Sequence, residues 1–186
     1  MTATTKGMFF NDLIALVKKE RGKAEAEAMC RELDLPTEFR ALSAYPIEDE
    51  VRLQLAVIKR LYPDKDVKQG MYELGRTSFS TFASSLLGKV GLTLLANEPR
   101  KLAQRIPDYV KMVNNFGSID VEELDDKQVR LVYQEMREYG EHHQGILQAG
   151  IEIMGFEGTV ELKVQRLEEK SAHELETDFS LLLRWQ

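Results

Sequence analysis

Asn114-Asn115-Phe116-Gly117 marks the point at which the hydrophobic period of the chain changes. Before this stretch, apolar residues recur every three to four positions, as in helices that bury one face. After it they alternate every two positions, pass once through a helical pattern and then alternate again. The order of the patterns predicts a helical half, residues 7–113, followed by a strand-strand-helix-strand-strand half, residues 117–186.

These two halves predict an α+β fold. We expect the N-terminal helical half to pack on a C-terminal antiparallel four-stranded sheet with one crossing helix. Along the second predicted strand Val129, Leu131 and Tyr133 alternate, so they should share one face of it. Because the elements are closely spaced, residues 1–186 are expected to form one domain. The polar stretch Met1–Gly7 is expected to be a loose tail.

Composition excludes several classes of partner. The net charge of −6, without a dense block of Lys and Arg, argues against nucleic acid, because phosphate binding needs clustered cations. No apolar run approaches the roughly 18–20 residues of a membrane span. Cys30 is the one cysteine of the chain, which excludes an intrachain disulfide and fits a reducing compartment. We therefore expect a cytoplasmic protein.

Small residues follow one another along the helix predicted to begin near Val67. Gly75, Ser78 and Ser80 are spaced so that the backbone of a neighbouring element or a ligand can approach closely. The same region carries Phe79, one of several candidate pocket residues.

Four apolar or aromatic side chains are candidates for the lining of a cavity. Phe79 and Phe82 lie on one predicted helix, and Tyr109 and Met112 lie on a later one. Aromatic residues at helical spacing also occur in ordinary hydrophobic cores, and the sequence leaves both interpretations open.

Tyr133 and Arg137 flank the end of a predicted strand. A phenol and a planar guanidinium at that place could grip a carboxylate or phosphate at the mouth of a pocket. The alternative is that Arg137 forms a surface ion pair with Glu135 or Glu138, which stabilises a fold little. Both interpretations stay open at this stage.

His142 and His143 are the one histidine pair in the sequence. Neighbours on a helix point about 100° apart, so one helix cannot direct both at a single metal ion. We interpret them as polar residues at a helix start. No nucleophile motif, phosphate loop or dinucleotide fingerprint is present, so neither an enzyme nor a metal or other cofactor is expected.

The whole chain from Gly7 to Trp185 resembles an uncharacterised domain family that is abundant in myxobacteria and their relatives. That resemblance implies no particular activity. The shared marks, in order, are Gly7-Met-Phe-Phe10, Ala44-Tyr-Pro46, Leu74-Gly-Arg76, Arg105-Ile-Pro107, Val113-Asn-Asn115 and Gly145-Ile-Leu147.

More distantly, the chain resembles the heme nitric-oxide/oxygen-binding (H-NOX) domains, in which a helical half precedes a sheet with one crossing helix and heme lies between them. Those domains hold the heme propionates with a Tyr-x-Ser-x-Arg motif. Tyr133 and Arg137 match its ends, but Glu135 stands in the Ser position. A carboxylate there is electrostatically adverse to two propionates.

The iron-ligating histidine of H-NOX domains belongs in the helix that here spans residues 97–113, and that range contains no His. Tyr109 and Val110 lie near the corresponding position. The resemblance therefore implies the H-NOX-like fold without ordinary heme ligation. The segment Gly145–Trp185 also resembles vinyl-reductase-type small-molecule-binding domains, whose relatives include vesicle-tethering subunits, which implies an apolar ligand or a partner surface.

The preferred interpretation is a non-enzymatic, heme-free sensor or signalling adaptor. Its expected partners are a small apolar or amphipathic ligand, or a signalling protein. Two alternatives remain open: a heme-dependent gas sensor with an atypical iron ligand such as Tyr109, and a pocketless interaction module that forms a homodimer.

Overall fold

The computed structural model describes residues 2–84, 98–169 and 175–186, without the side chains of 81, 82, 84 and 169. In chain order, these ranges form β1 (Thr4–Lys6), α1 (Gly7–Arg21), α2 (Lys23–Glu32), β2 (Ala44–Pro46), α3 (Ile47–Leu61), α4 (Val67–Ser84), α5 (Pro99–Val113), β3 (Ser118–Asp125), β4 (Gln128–Met136), α6 (Gly140–Ile153), β5 (Gly158–Glu169) and β6 (Leu175–Trp185). The predicted α+β class and the ββαββ order are confirmed. None of these helices has the length and apolar character that crossing a membrane requires.

The large sheet is antiparallel throughout, with the strand order β3-β4-β6-β5. Val129, Leu131 and Tyr133 of β4 lie opposite Leu183, Leu181 and Phe179 of β6, respectively. All six side chains are buried, so the predicted shared face is the core face of β4. Helices α5 and α6 both contact this sheet, and their buried residues join its core.

The expectation that Met1–Gly7 is a loose tail is wrong. Thr4–Lys6 forms β1, which pairs antiparallel with β2 and brings Thr5 opposite Tyr45 in a buried position. Asn115 holds the same strand, since its Oδ1 accepts from the Thr4 amide at 2.6 Å and its Nδ2 donates to the Thr2 carbonyl at 3.0 Å. A strand of three residues has no period of its own, and its partners lie far away in the sequence.

The stretch at which the hydrophobic period changes joins two hydrophobic cores. One core lies among α1 to α4, and the other lies between the sheet and helices α5 and α6. Phe116 packs against both cores. Gly117 follows with φ of 67°, and a Cβ at this position would press on the Met136 sulfur. This stretch, Asn114–Gly117, which we name the seam, thus marks the change of pattern and also joins the two cores.

Helices α4 and α6 touch through their backbones. A Cβ on Gly75 would meet the carbonyl oxygen of His142, and one on Gly145 would meet the carbonyl oxygen of Tyr72. The interpretation of Gly75 as a site of close approach is therefore confirmed, and the neighbour is α6. Beside this contact Arg76 donates to both carboxylate oxygens of Glu152, at 2.9 and 2.7 Å.

We expect Gly75→Ala to destabilise the protein by about 3 kcal/mol or more, since the added methyl group meets rigid backbone. The matched control is Gly70→Ala on the same helix, where the methyl group meets the Ile58 side chain instead. Both changes gain the same helix propensity, about 1 kcal/mol. Urea unfolding of both variants tests the contact, and equal stability of the two would contradict it.

Candidate functional site

The candidate cavity residues on the helices occupy different environments. Phe79 faces α6, where its ring lies against Gly150. The Phe82 side chain lies outside the described residues. On α5, Tyr109 is 44% exposed and Met112 is 67% exposed, so both remain accessible in the described part of the chain. A shared apolar lining for these four side chains stays a prediction.

Tyr133 is buried within the sheet half. Its ring stacks on Phe179, with 4.4 Å between ring centroids, and lies tilted against His143 at 5.1 Å. Burial, together with the negative charge of Glu138, raises the pKa of the Tyr133 phenol. The side chain therefore stays protonated and contributes aromatic packing under the strand end.

Arg137 lies at the edge of the sheet half and contacts β6. Its Nη1 donates to the Leu175 carbonyl at 3.3 Å and lies 3.5 Å from Oε2 of Glu176. The same Glu176 pairs through Oε1 with Arg166 at 2.9 Å. The partner of Arg137 is thus a residue of the opposite hairpin, and neither of the sequence neighbours considered above forms this pair.

Two open cavities lie on either side of Glu135. The first, which we name the seam cavity, has a volume of about 430 Å³ and is bordered by Ala3, Asn115, Phe116, Arg137 and Glu176. The second, the sheet cavity, has a volume of about 600 Å³ and is bordered by Ser118, Tyr133, Gln165, Arg166 and Asp178. Glu135 borders both, so the structure brings Tyr133 and Arg137 to adjacent cavities.

The backbone at Glu135 is strained. Its φ is 53°, a value uncommon for a residue other than glycine, and the pairing of β4 with β6 shifts register between Tyr133 and Met136. The Glu135 amide donates to Oδ1 of Asp178 at 2.7 Å, which holds the bulge in place. Strained backbone of this kind occurs preferentially at functional sites.

Beneath the strand end lies a buried polar cluster of five side chains, Glu50, Gln54, Glu138, His142 and His143. The first two belong to α3 in the helical half, and the other three lie at the entry to α6 in the sheet half. Glu50 is 4% exposed, Glu138 is 7% exposed and His142 is 8% exposed. The cluster therefore crosses the junction between the halves.

His143 and Glu138 form the paired part of this cluster. His143 Nε2 lies 3.2 Å from Oε2 of Glu138. Burial by itself would raise the pKa of Glu138, but the charge and hydrogen bond of His143, together with the field of His142, lower it. The two histidines lie in the first turn of α6, as expected, and the close approach at Gly145 carries this turn into the interior.

His142 is the unpaired histidine of the cluster. Neither of its ring nitrogens has a hydrogen-bond partner among the described residues, and both are buried. Burial and the neighbouring His143 lower the pKa of His142 to about 4, although Glu138 acts in the opposite direction. The ring is therefore neutral at pH 7.

The pKa of Glu50 is raised, whereas that of Glu138 is lowered. Burial and the nearby Glu138 carboxylate raise the pKa of Glu50 well above the usual range, while hydrogen bonds with Thr5 and Gln54 act against that rise. Gln54 donates to Oε1 of Glu50 at 3.0 Å, and Oε2 has no partner within the described chain. Only the helical side of the cluster thus holds a carboxyl that favours its neutral form.

The sequence of this protein matches the profile of a family described as "Protein of unknown function (DUF2378)" over residues 1–185. The chain belongs to the DUF2378 family. A comparison with curated protein sequences finds no match.

This DUF2378 chain is similar over its whole length to solved H-NOX structures. The unliganded Fe(II) H-NOX protein from K. algicida shares 14% identity at a TM-score of 0.71, with 97% of this chain and 96% of that chain covered. A structure from a study of heme distortion in the H-NOX family shares 13% identity at a TM-score of 0.72, with 97% of this chain and 95% of that chain covered. An H-NOX mutant from T. tengcongensis shares 13% identity at a TM-score of 0.70, with 97% of each chain covered. The predicted H-NOX-like fold is confirmed.

The described residues of the DUF2378 chain do not fit heme well. Burial and the negative charges of Asp12 and Glu50 raise the pKa of Tyr109, which disfavours the phenolate that would bind iron. Val110 offers no donor atom, and the Glu135 carboxyl borders both cavities at the strand end. Among the residues described, no group of three or more His, Cys, Asp and Glu side chains could hold a metal ion.

We expect the stability of the wild-type protein, relative to that of His142→Leu, to fall as the pH drops from 6.5 towards 4, because unfolded His142 takes up a proton that the folded state excludes. The full effect is on the order of 3 kcal/mol. In His142→Leu this part of the pH dependence should disappear, with stability at pH 7 equal or higher, since no described hydrogen bond is lost.

Urea unfolding across this pH range measures the effect, with Glu141→Gln as the control at the neighbouring, only partly buried position. A lower stability of His142→Leu at pH 7 would contradict this expectation. It would indicate that a bound molecule or water satisfies the His142 nitrogens.

Proposed function

We propose that this protein is a non-enzymatic, heme-free sensor or signalling adaptor that binds a small amphipathic ligand in the seam cavity. The observation that carries the proposal is the position of this cavity at the junction of the two halves. Its border combines Ala3 of the N-terminal segment, Asn115 and Phe116 of the seam, and Arg137 and Glu176 of the sheet half. A ligand that contacts both halves can shift how they pack, which is what a sensor requires.

The chemistry of the seam cavity favours an amphipathic ligand over a purely apolar one. Phe116 and Ala3 offer apolar surface, whereas Arg137, Glu176 and Glu135 offer charge. Arg137 lies at the long distance of 3.5 Å from Glu176, so an acidic group on a ligand can compete for the guanidinium. An apolar body with a single carboxylate or sulfonate matches these features, since its one charge can meet Arg137, whereas a second negative charge, as in heme, would be repelled by Glu135 and Glu176.

The H-NOX-like fold supports a role in sensing only by analogy, since several functions share one fold. Heme binding through Tyr109 is the second candidate. It is disfavoured by the raised pKa of the Tyr109 phenol and by the negative charge of Glu135. A protein partner is the third candidate, and the exposure of Tyr109 and Met112 on α5 favours it.

A titration with hemin separates the first two candidates. We expect no Soret band in protein expressed with heme supplementation and no saturable spectral change when hemin is added. A stoichiometric Soret band that Tyr109→Phe abolishes would overturn the heme-free proposal. Light scattering after size-exclusion chromatography tests the third candidate, because a stable dimer that Met112→Asp dissociates would favour an interaction module.

Binding of anilinonaphthalene sulfonate, an amphipathic sulfonate, tests the seam cavity directly. We expect Arg137→Ala to weaken binding about tenfold, the effect of losing one charge-assisted hydrogen bond. The matched control is Arg130→Ala in β4, the strand that ends just before Arg137. Arg130 carries the same charge, pairs with Glu122 and borders neither cavity. Equal binding by the two variants, or none by the wild type, would contradict the proposed site.

A further inference from the structure

We propose that Glu50 and Glu138 form a proton-binding site that ties the helical half to the sheet half, so that the packing of the two halves responds to pH. This inference deepens the proposed sensing function and rests on it for its biological meaning. Its physical basis is independent of the seam cavity, because it uses the buried polar cluster alone.

The first step of the argument is the position of the two carboxyls. Glu50 lies on α3, and Glu138 lies between β4 and α6, so each half of the fold contributes one acid. Both are more than nine-tenths buried. Their charges interact strongly enough that Glu138 is the largest influence on Glu50 after burial itself. Two ionised carboxylates at such a site would repel each other in a medium of low dielectric constant.

The second step is that Glu138 is held as the charged partner. Its carboxylate pairs with His143 at 3.2 Å. Its backbone carbonyl accepts a hydrogen bond from Oγ1 of Thr177 at 3.0 Å, which fixes the turn into α6. Glu138 therefore favours its charged form, and its carboxylate already has a partner on this side of the junction.

The third step concerns the other groups that face Glu50. Gln54 on α3 and Thr5 on β1 give it hydrogen bonds but no charge. From α5, Tyr109 lies in the field of Glu50, and Asp12 of α1 also acts on Tyr109, so this side offers acidic rather than basic groups. On α6, His142 is neutral because its pKa lies near 4. None of these neighbours supplies a positive charge to Glu50, so protonation is what neutralises its carboxyl group in the folded state.

The consequence has a definite direction with pH. The pKa of Glu50 is higher in the folded state than its ordinary value of 4.5, so the stability that its proton supplies is lost as the pH rises through the folded value. His142 acts in the opposite direction, but only below its ordinary pKa of 6.5. A loss of stability with rising pH that Glu50→Gln removes therefore reports on Glu50. Repulsion between the two carboxylates is relieved when α3 moves away from the start of α6.

Glu50→Gln is the variant that tests the site, since the amide keeps the shape and cannot ionise. Between the ordinary pKa of 4.5 and the folded pKa of Glu50, the unfolding constant of the wild type should rise about tenfold per pH unit relative to this variant, because unfolding releases one proton. Glu48→Gln, two positions earlier on the same helix and only partly buried, is the matched control and should behave as the wild type.

A distance measurement separates a movement of the halves from a change in stability alone. Nitroxide labels on Glu27→Cys of α2 and Lys163→Cys of β5 report across the junction, and both positions are exposed. The native Cys30 is fully buried and remains unlabelled in the folded protein. Between pH 6.5 and 9 the distance distribution should shift or broaden in the wild-type background and stay constant with Glu50→Gln.

An unchanged distribution in the wild-type background would overturn the proposal, and so would an equal response in Glu50→Gln. If Glu50→Gln fails to fold, amide hydrogen exchange in α3 of the wild type, corrected for the intrinsic rate, replaces it. Protection that does not fall with rising pH would then overturn the proposal. Sulfonate binding is also measured with Glu50→Gln, in which position 50 is neutral at every pH, so failure of the seam cavity and failure of the proton site give different results.

Discussion

The backbone contact between α4 and α6 is the constraint on which the rest of the structure depends. Gly75 and Gly145 allow each helix to lie against a carbonyl oxygen of the other, so no side chain separates the helical half from the sheet half at this point. Packing at this distance leaves little freedom to slide, since any Cβ would force the helices apart. The position of the first turn of α6 follows from this contact.

Because α6 is drawn inward, polar side chains at its start lie in the interior. Glu138 interacts there with His142 and His143 and, across the junction between the two hydrophobic cores, with Glu50. A buried polar cluster stabilises a fold less than apolar packing does, but it makes the junction sensitive to protons and to polar ligands. The seam cavity opens nearby, bordered by Arg137 and Glu176. The DUF2378 chain thus concentrates its polar chemistry where its two halves meet.

The parts that the sequence predicted are those with local, repeated signals. Alternation along β4 placed Val129, Leu131 and Tyr133 on one face, which is buried, and small residues along α4 indicated a close approach. Strand β1 was missed because three polar residues carry no periodic signal and pair with a distant segment. The partner of Arg137 was missed for a related reason, since Glu176 belongs to another strand and only the sheet order brings the two together.

The sequence by itself determined the order of the helices and of the four strands of the large sheet, the seam at Asn114–Gly117 and the absence of a histidine from residues 97–113. These properties depend on residue type and spacing, which can be read without a partner element. Only the tertiary structure decided that the seam holds β1 through Asn115 and joins both cores through Phe116. It also decided that His142 and Glu50 are buried, because burial and charge coupling depend on which elements pack together, and packing is a property of the whole fold.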